Sequence, residues 1–260
     1  MKGLPVEAVL RAARDKGRKL LVPYVTGGLR DDWVAILSSM ADAGADAIEV
    51  GLPFSDPMMD GPTIQEASLQ ALQRGTTPTS VLNELRSLEA PVPLVVMTYC
   101  NLVLRAGTKR FAAQLAGAGV RGAIVPDLPL EESAEWEADA AAGGVGTVLL
   151  AAPVTPDYRL AVICEHSHGF VYGVNLMGVT GERDSLSTSS SVLAKRMKAA
   201  TDKPVLMGFG ITGPTQAVAA AEHSDGVVVG AALMRAALKG ASPTEVGDLV
   251  ATIRAALDRG

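Results

Sequence analysis

Aromatic residues are scarce: four Phe, four Tyr and two Trp among 260 residues, or 4%. A chain so poor in rings lacks the stacking platforms that hold single-stranded nucleic acid. Positive charge is in deficit as well, with 23 Lys+Arg against 28 Asp+Glu and a net charge of −5. That is no footprint for a phosphate backbone, so no nucleic-acid partner is expected. The two cysteines, Cys100 and Cys164, lie far apart. A disulfide scaffold is not expected at this size; reduced thiols packed as small hydrophobes in a cytoplasmic protein are. Long apolar runs are missing too. One long uncharged stretch, residues 140–156, is broken by Gly143, Gly144, Gly146 and Pro153. It reads as helix end, turn and strand, not as a membrane span. Met1-Lys2-Gly3-Leu4-Pro5 is followed by no signal-peptide core.

What the chain does have is glycine (27 residues) and a 48% apolar content, enough for a large core. Short β-branched or apolar runs alternate with alanine-rich helical stretches. Strands are expected at Lys19–Val25, Ala47–Val50, Leu94–Met97, Gly122–Val125, Thr147–Ala151, Gly169–Tyr172, Val205–Met207 and Gly226–Val229. Helices between them open with acid or Pro and end at Gly, as in Asp31–Ala43 before Gly44 and Leu130–Ala142 before Gly143. A helix is expected at Val192–Ala200, preceded by a mobile serine-rich loop at Leu186–Val192. Val6–Lys16 and Pro243–Asp258 read as extra terminal helices. Eight βα units in one chain of this length imply a single (β/α)8 barrel domain over residues 1–260; a doubly wound sheet is the alternative, since periodicity cannot see closure.

In such a barrel the chemistry sits where strands end and βα loops begin. Glu49 lies on one strand face with Ala47 and Gly51, where an unpaired carboxylate is costly and its pKa rises. Burial of this kind suits a general acid–base group; a structural ion pair is the competing explanation. Asp60, in the long loop after that strand, is a second candidate acid, or else a turn residue, as Asp56 reads. Asp127 at the fourth strand end admits both a binding and a turn role. Glycines follow strands six, seven and eight at Gly178–Gly181, Gly208–Gly213 and Gly230-Ala231. There, free backbone N–H groups and a helix N-terminus would hold a phosphorylated small molecule. His166 and His168 lack a third ligand, so no metal is expected. Lys19 and Lys203 fall at strand starts, the wrong end for a Schiff-base lysine.

The run Glu49-Val50-Gly51-Leu52-Pro53-Phe54-Ser55-Asp56-Pro57-Met58-Met59-Asp60-Gly61-Pro62-Thr63-Ile64-Gln65 closely resembles the signature of the tryptophan synthase α-subunit family. Pro23–Thr26, Met97–Asn101, Pro126–Pro129, Gly178–Gly181 and Gly208–Ile211 follow in that family's order, so the resemblance spans essentially the whole chain. It implies a (β/α)8 TIM barrel that cleaves indole-3-glycerol phosphate to indole and glyceraldehyde 3-phosphate without a cofactor. Glu49 would be the acid–base residue and Asp60 would polarise the indole N–H. Tyr172, Thr180, Gly181, Phe209, Gly210, Gly230 and Ala231 would line the substrate and phosphate site, with Tyr24, Tyr99 and Asp127 at pocket positions. Thr180 would ride on a closing loop, Val179–Ser191. The resemblance further implies an α2β2 complex with a β subunit that carries pyridoxal phosphate, docked at Pro53–Asp60 and Met97–Asn101, although some relatives act alone. Three positions depart from the family pattern: Ala231 replaces a phosphate-holding serine, Leu29-Arg30 replaces Asp-Pro, and Asn175 replaces a serine. A hydrogen bond lost to a charged group is worth about 1.5–3 kcal/mol, so Ala231 implies weaker binding and not a different reaction.

Overall fold

The computed structural model describes residues 5–174, 183–208 and 210–260. Eight parallel strands close into a barrel in chain order. They are β1 (Leu20–Thr26), β2 (Ile48–Gly51), β3 (Leu94–Met97), β4 (Val120–Ile124), β5 (Gly146–Ala151), β6 (Val171–Gly173), β7 (Val205–Met207) and β8 (Gly226–Val229). Pairing of β8 with β1 completes the circle, so the (β/α)8 reading holds and the open sheet does not. Helices α1 (Val6–Arg14) and α2 (Trp33–Asp42) flank β1, and α3 (Pro62–Gln73) and α4 (Pro78–Ser87) follow β2. Next come α5 (Cys100–Ala106), α6 (Thr108–Gly117), α7 (Ala134–Ala142), α8 (Asp157–His166), α9 (Arg183–Ala200) and α10 (Pro214–Ala221), then α11 (Ala231–Leu238) and α12 (Pro243–Leu257).

Strand alternation builds the core in two faces. Leu20, Val22, Ala47, Val95, Ile124, Val148, Phe170, Leu206 and Val228 form one cluster, joined by Val6 and Leu10 of α1. Leu21, Val25, Ile48, Val50, Val96, Ala123, Val227 and Val229 pack with the helices. The first cluster fills the barrel, and α1 closes its N-terminal end. There the Glu7 carboxylate accepts from the Gly169 N–H at 3.3 Å and from Arg11 at 2.8 Å. Nearby, Arg254 of α12 donates to the Lys19 carbonyl at 2.7 Å and to Asp46 at 3.3 Å, and Asp46 also accepts from the Leu21 N–H at 2.8 Å. Lys19 and Lys203 hold carbonyls at this end, Ala221 and Ser224 for the one, Glu165 and Ser167 for the other. The N-terminal rim is thus devoted to stability, and chemistry is left to the opposite rim.

Three local expectations need correction. Helix α9 begins at Arg183, so the serine-rich segment continues a helix and is not a loop. Serine costs a helix only a fraction of a kcal/mol per residue, and Leu193, Ala194 and Met197 anchor α9 in a buried cluster with Leu160, Ile163 and Val205. The helix expected from Leu130 is a 3-10 turn at Leu130–Glu132 followed by α7. Helix α5 has no counterpart in the sequence reading, because its N-terminal support comes from a different βα unit, as described next.

Candidate active site

At the C-terminal rim the next inward positions are Tyr24, Glu49, Tyr172, Gly208 and Gly230. Tyr24 and Glu49 are register partners on β1 and β2. Glu49 is 2% exposed, and among the described residues its Oε2 has no hydrogen-bond partner. Burial, with the charge of Asp60 second, pushes its pKa up to about 8. Among the described residues no cation pairs with this carboxyl, which is not what a structural ion pair would leave.

Asp60 reaches the same space from the loop after β2. Tyr99 fixes it: the Tyr99 hydroxyl donates to Asp60 Oδ2 at 2.9 Å and accepts from the Met59 N–H at 3.2 Å. The Tyr99 ring stacks on Phe54 with centroids 4.9 Å apart. The loop is further held by Gln65, whose amide donates to the Asp60 carbonyl at 2.9 Å. Burial raises the Asp60 pKa to about 6, with the Tyr99 hydrogen bond opposing the rise. Burial thus lifts both carboxyls and Glu49 the further, which makes Glu49 the better proton donor and Asp60 the readier carboxylate.

Two tyrosines wall this space. The Thr26 hydroxyl donates to the Tyr24 hydroxyl at 3.2 Å. Burial, then the negative charge of Asp60, drives the Tyr24 pKa well up. Burial and then Glu49 do the same to Tyr172, whose ring tilts against Phe170 at 5.8 Å. Both rings lie where a neighbouring strand carries glycine. A Cβ at Gly51 would overlap the Tyr24 hydroxyl, and one at Gly208 would overlap the Tyr172 ring. These glycines admit the rings that close the pocket sides.

Asp127 is placed beside, not inside, the acid pair. Its Oδ1 accepts from the Cys100 N–H at 2.8 Å and thereby caps the first turn of α5, whose N-cap residue is Tyr99. The carboxylate ending β4 thus supports the tyrosine that holds Asp60. On the far side, Gly230 is the N-cap of α11 and Ala231 opens that helix, exposed at the rim. A helix start leaves its first N–H groups free for an anion. Gly210 is exposed and takes a positive φ of 42°. Thr180, Gly181, Phe209 and the start of the expected loop, 179–182, lie outside the described residues.

Sequence reasoning missed Phe54 and Thr26 as supports of the site. Thr26 was findable, since it shares a strand face with Tyr24; the Phe54 stack crosses between βα units and leaves no local signal. Among the described residues no three His, Cys, Asp or Glu side chains converge as a metal site. His166 Nδ1 instead faces Glu137 at 2.9 Å. No described helix is long and apolar enough to cross a membrane. The rim therefore combines a protonated buried acid, an oriented carboxylate, apolar and aromatic walls, and an anion-receptive helix start. Such a set can move protons on a flat, phosphorylated substrate.

Comparison with known proteins gives a consistent result. Residues 10–253 match the family model described as tryptophan synthase alpha chain. The tryptophan synthase alpha chain of Streptomyces avermitilis is 42% identical over 238 residues, covering 90% of this chain and 86% of that one. That of Rhizorhabdus wittichii is 43% identical over 253 residues, covering 95% and 93%. Among solved structures, Mycobacterium tuberculosis tryptophan synthase superposes with a TM-score of 0.90 at 38% identity, covering 98% of each chain. The tryptophan synthase subunit alpha of Legionella pneumophila superposes with a TM-score of 0.87 at 32% identity, again over 98% of each.

Proposed function

The chain belongs to the tryptophan synthase alpha chain family, and we propose that Glu49 and Asp60 are the two acids that perform that subunit's reaction in it. The reaction is the cleavage of indole-3-glycerol phosphate to indole and glyceraldehyde 3-phosphate, a step of tryptophan biosynthesis. The observation that carries the assignment of residues is the buried Glu49 carboxyl, its Oε2 without a partner among the described residues, beside the carboxylate of Asp60 that the Tyr99 hydroxyl holds at 2.9 Å.

The C–C bond to indole breaks only after the ring has been tautomerised. Protonated Glu49 gives its proton to indole C3. The Asp60 carboxylate accepts the ring N–H and stabilises the positive charge that develops there. Glu49, now a carboxylate, takes the proton of the glycerol hydroxyl next to the scissile bond. That bond's electron pair returns to the ring, indole and the aldehyde form, and Glu49 is again protonated. No cofactor enters these steps. Tyr24, Tyr99 and Tyr172 would shape the indole pocket. Gly181, Gly210, Gly230 and Ala231 would take the phosphate, with Phe209 against the ring and Thr180 on the closing segment.

A pyridoxal-phosphate β subunit is the partner this reading implies. Met58 and Met59 are exposed beside the Phe54–Tyr99 stack, and Leu104 is exposed on α5, whose N-cap is Tyr99, an apolar surface at the rim where product indole would leave. One domain of the whole chain, working in the cytoplasm, completes the proposal. Purified chain supplied with indole-3-glycerol phosphate, with and without a β subunit, tests it. Indole formation stimulated at least tenfold by β is expected. Full activity alone would mark a stand-alone lyase, and no indole in either case would refute the lyase reading.

A further inference from the structure

Arg30 stands in the turn after β1, where the sequence departs from the family pattern, and its side chain is fully engaged. Nε and Nη2 fork onto the two carboxylate oxygens of Asp32 at 2.9 and 2.6 Å. Nη1 reaches across to α11 and donates to the carbonyls of Ala237 at 3.1 Å and Ala241 at 2.7 Å. These carbonyls lie in the last turn of α11 and just beyond it. The opposite end of the same helix is Gly230-Ala231, packed near the Tyr24 Cβ. Midway, Met234 Sδ accepts from the Thr26 N–H at 3.4 Å.

A helix of eight residues does not hold itself; what grips its ends sets its placement. A guanidinium on the last carbonyls also reinforces the helix dipole whose positive end faces the rim. Residue 231 offers no hydroxyl here, so anion recognition at this helix rests on backbone N–H groups. Their direction and partial charge depend on how α11 sits.

We propose that Arg30 is a positioning residue for phosphate recognition: by clamping the C-terminal carbonyls of α11 to the β1–α2 turn, it sets the N–H groups of Gly230-Ala231 against the substrate phosphate. This inference rests on the lyase reading and adds a residue on which that reading is silent.

The test is the reverse condensation of indole with glyceraldehyde 3-phosphate, run with the full chain and its Arg30→Met variant. The variant should raise the KM for glyceraldehyde 3-phosphate, and the inhibition constant of inorganic phosphate, by on the order of three- to fivefold. The KM for indole and kcat should stay within about twofold. A purely structural role would instead lower the folded fraction, and with it the apparent kcat, without separating the two KM values. Arg30→Lys keeps the charge but not the fork, and should give a smaller rise of the same selectivity; it decides the matter if Arg30→Met does not fold. An unchanged KM for glyceraldehyde 3-phosphate in a folded variant, or equal rises for both substrates, overturns the proposal. Absence of condensation by the unaltered chain would instead refute the lyase reading itself.

Discussion

Glu49→Gln is expected to lower indole formation by about three orders of magnitude or more, the upper part of what one general acid–base group contributes. The amide has nearly the shape of the carboxyl, so the pocket keeps its form. It can neither give a proton to indole C3 nor take one from the glycerol hydroxyl, and in the proposed mechanism both transfers fall to this one group. Steady-state release of indole checks the result, and activity within tenfold of the unaltered chain would contradict it. The same variant should show what the buried acid costs the fold. The folded-state pKa of Glu49, about 8, lies above its unfolded value. Between those two values the folded protein binds more protons than the unfolded one, so stability falls as pH rises through that window. Glu49→Gln should lose this part of the pH dependence, and its melting temperature should fall less than that of the unaltered chain between pH 5 and pH 8.

Asp60→Asn is expected to cost about 100-fold, the scale for removing one oriented electrostatic partner of a transition state. Its pH profile is the sharper readout. In the unaltered chain, activity should rise as Asp60 ionises near pH 6 and fall as Glu49 loses its proton near pH 8. Asparagine removes the acid limb, because nothing is left to ionise there. It also removes a negative charge that raises the Glu49 pKa, second to burial. The alkaline limb should therefore move below pH 8 while staying above the ordinary carboxylate range, since burial persists. An acid limb that survives in the variant would assign that limb to another group.

The architecture was legible because it rests on local signals. Short apolar, β-branched runs marked all eight strands, and side-chain alternation put Glu49 on one strand face with Ala47 and Gly51. The resemblance added the roles: Glu49 as the acid–base residue, Asp60 against the indole N–H, and the glycine loops around the phosphate. What remained hidden is non-local. The Asp127–Cys100 cap joins the ends of two different βα units, so α5 had no start signal of its own. Tyr99 reaches Asp60 across 39 positions of sequence, and no spacing rule anticipates that bond. Arg30 reads as an ordinary turn residue until α11, more than 200 positions later, is folded beside it. The serine-rich segment misled for the opposite reason: its composition favours a loop, and packing of the residues that follow it makes it helical.

A cost accompanies the site. A buried carboxyl whose Oε2 has no partner among the described residues, tyrosines pressed onto glycine backbones and an exposed apolar rim all work against stability, and all lie at one end of the barrel. The other end holds the compensating contacts, α1 under the barrel and Arg254 with Asp46. This division lets the C-terminal rim hold Glu49 at a raised pKa beside Asp60, on which the proposed mechanism depends.

Carboxyl carbon NMR of the full chain, with Glu49 and Asp60 assigned by their amide variants, measures that protonation order directly. The account predicts a Glu49 midpoint near pH 8 and an Asp60 midpoint near pH 6. A Glu49 carboxyl that titrates in the ordinary carboxylate range, below Asp60, would contradict it.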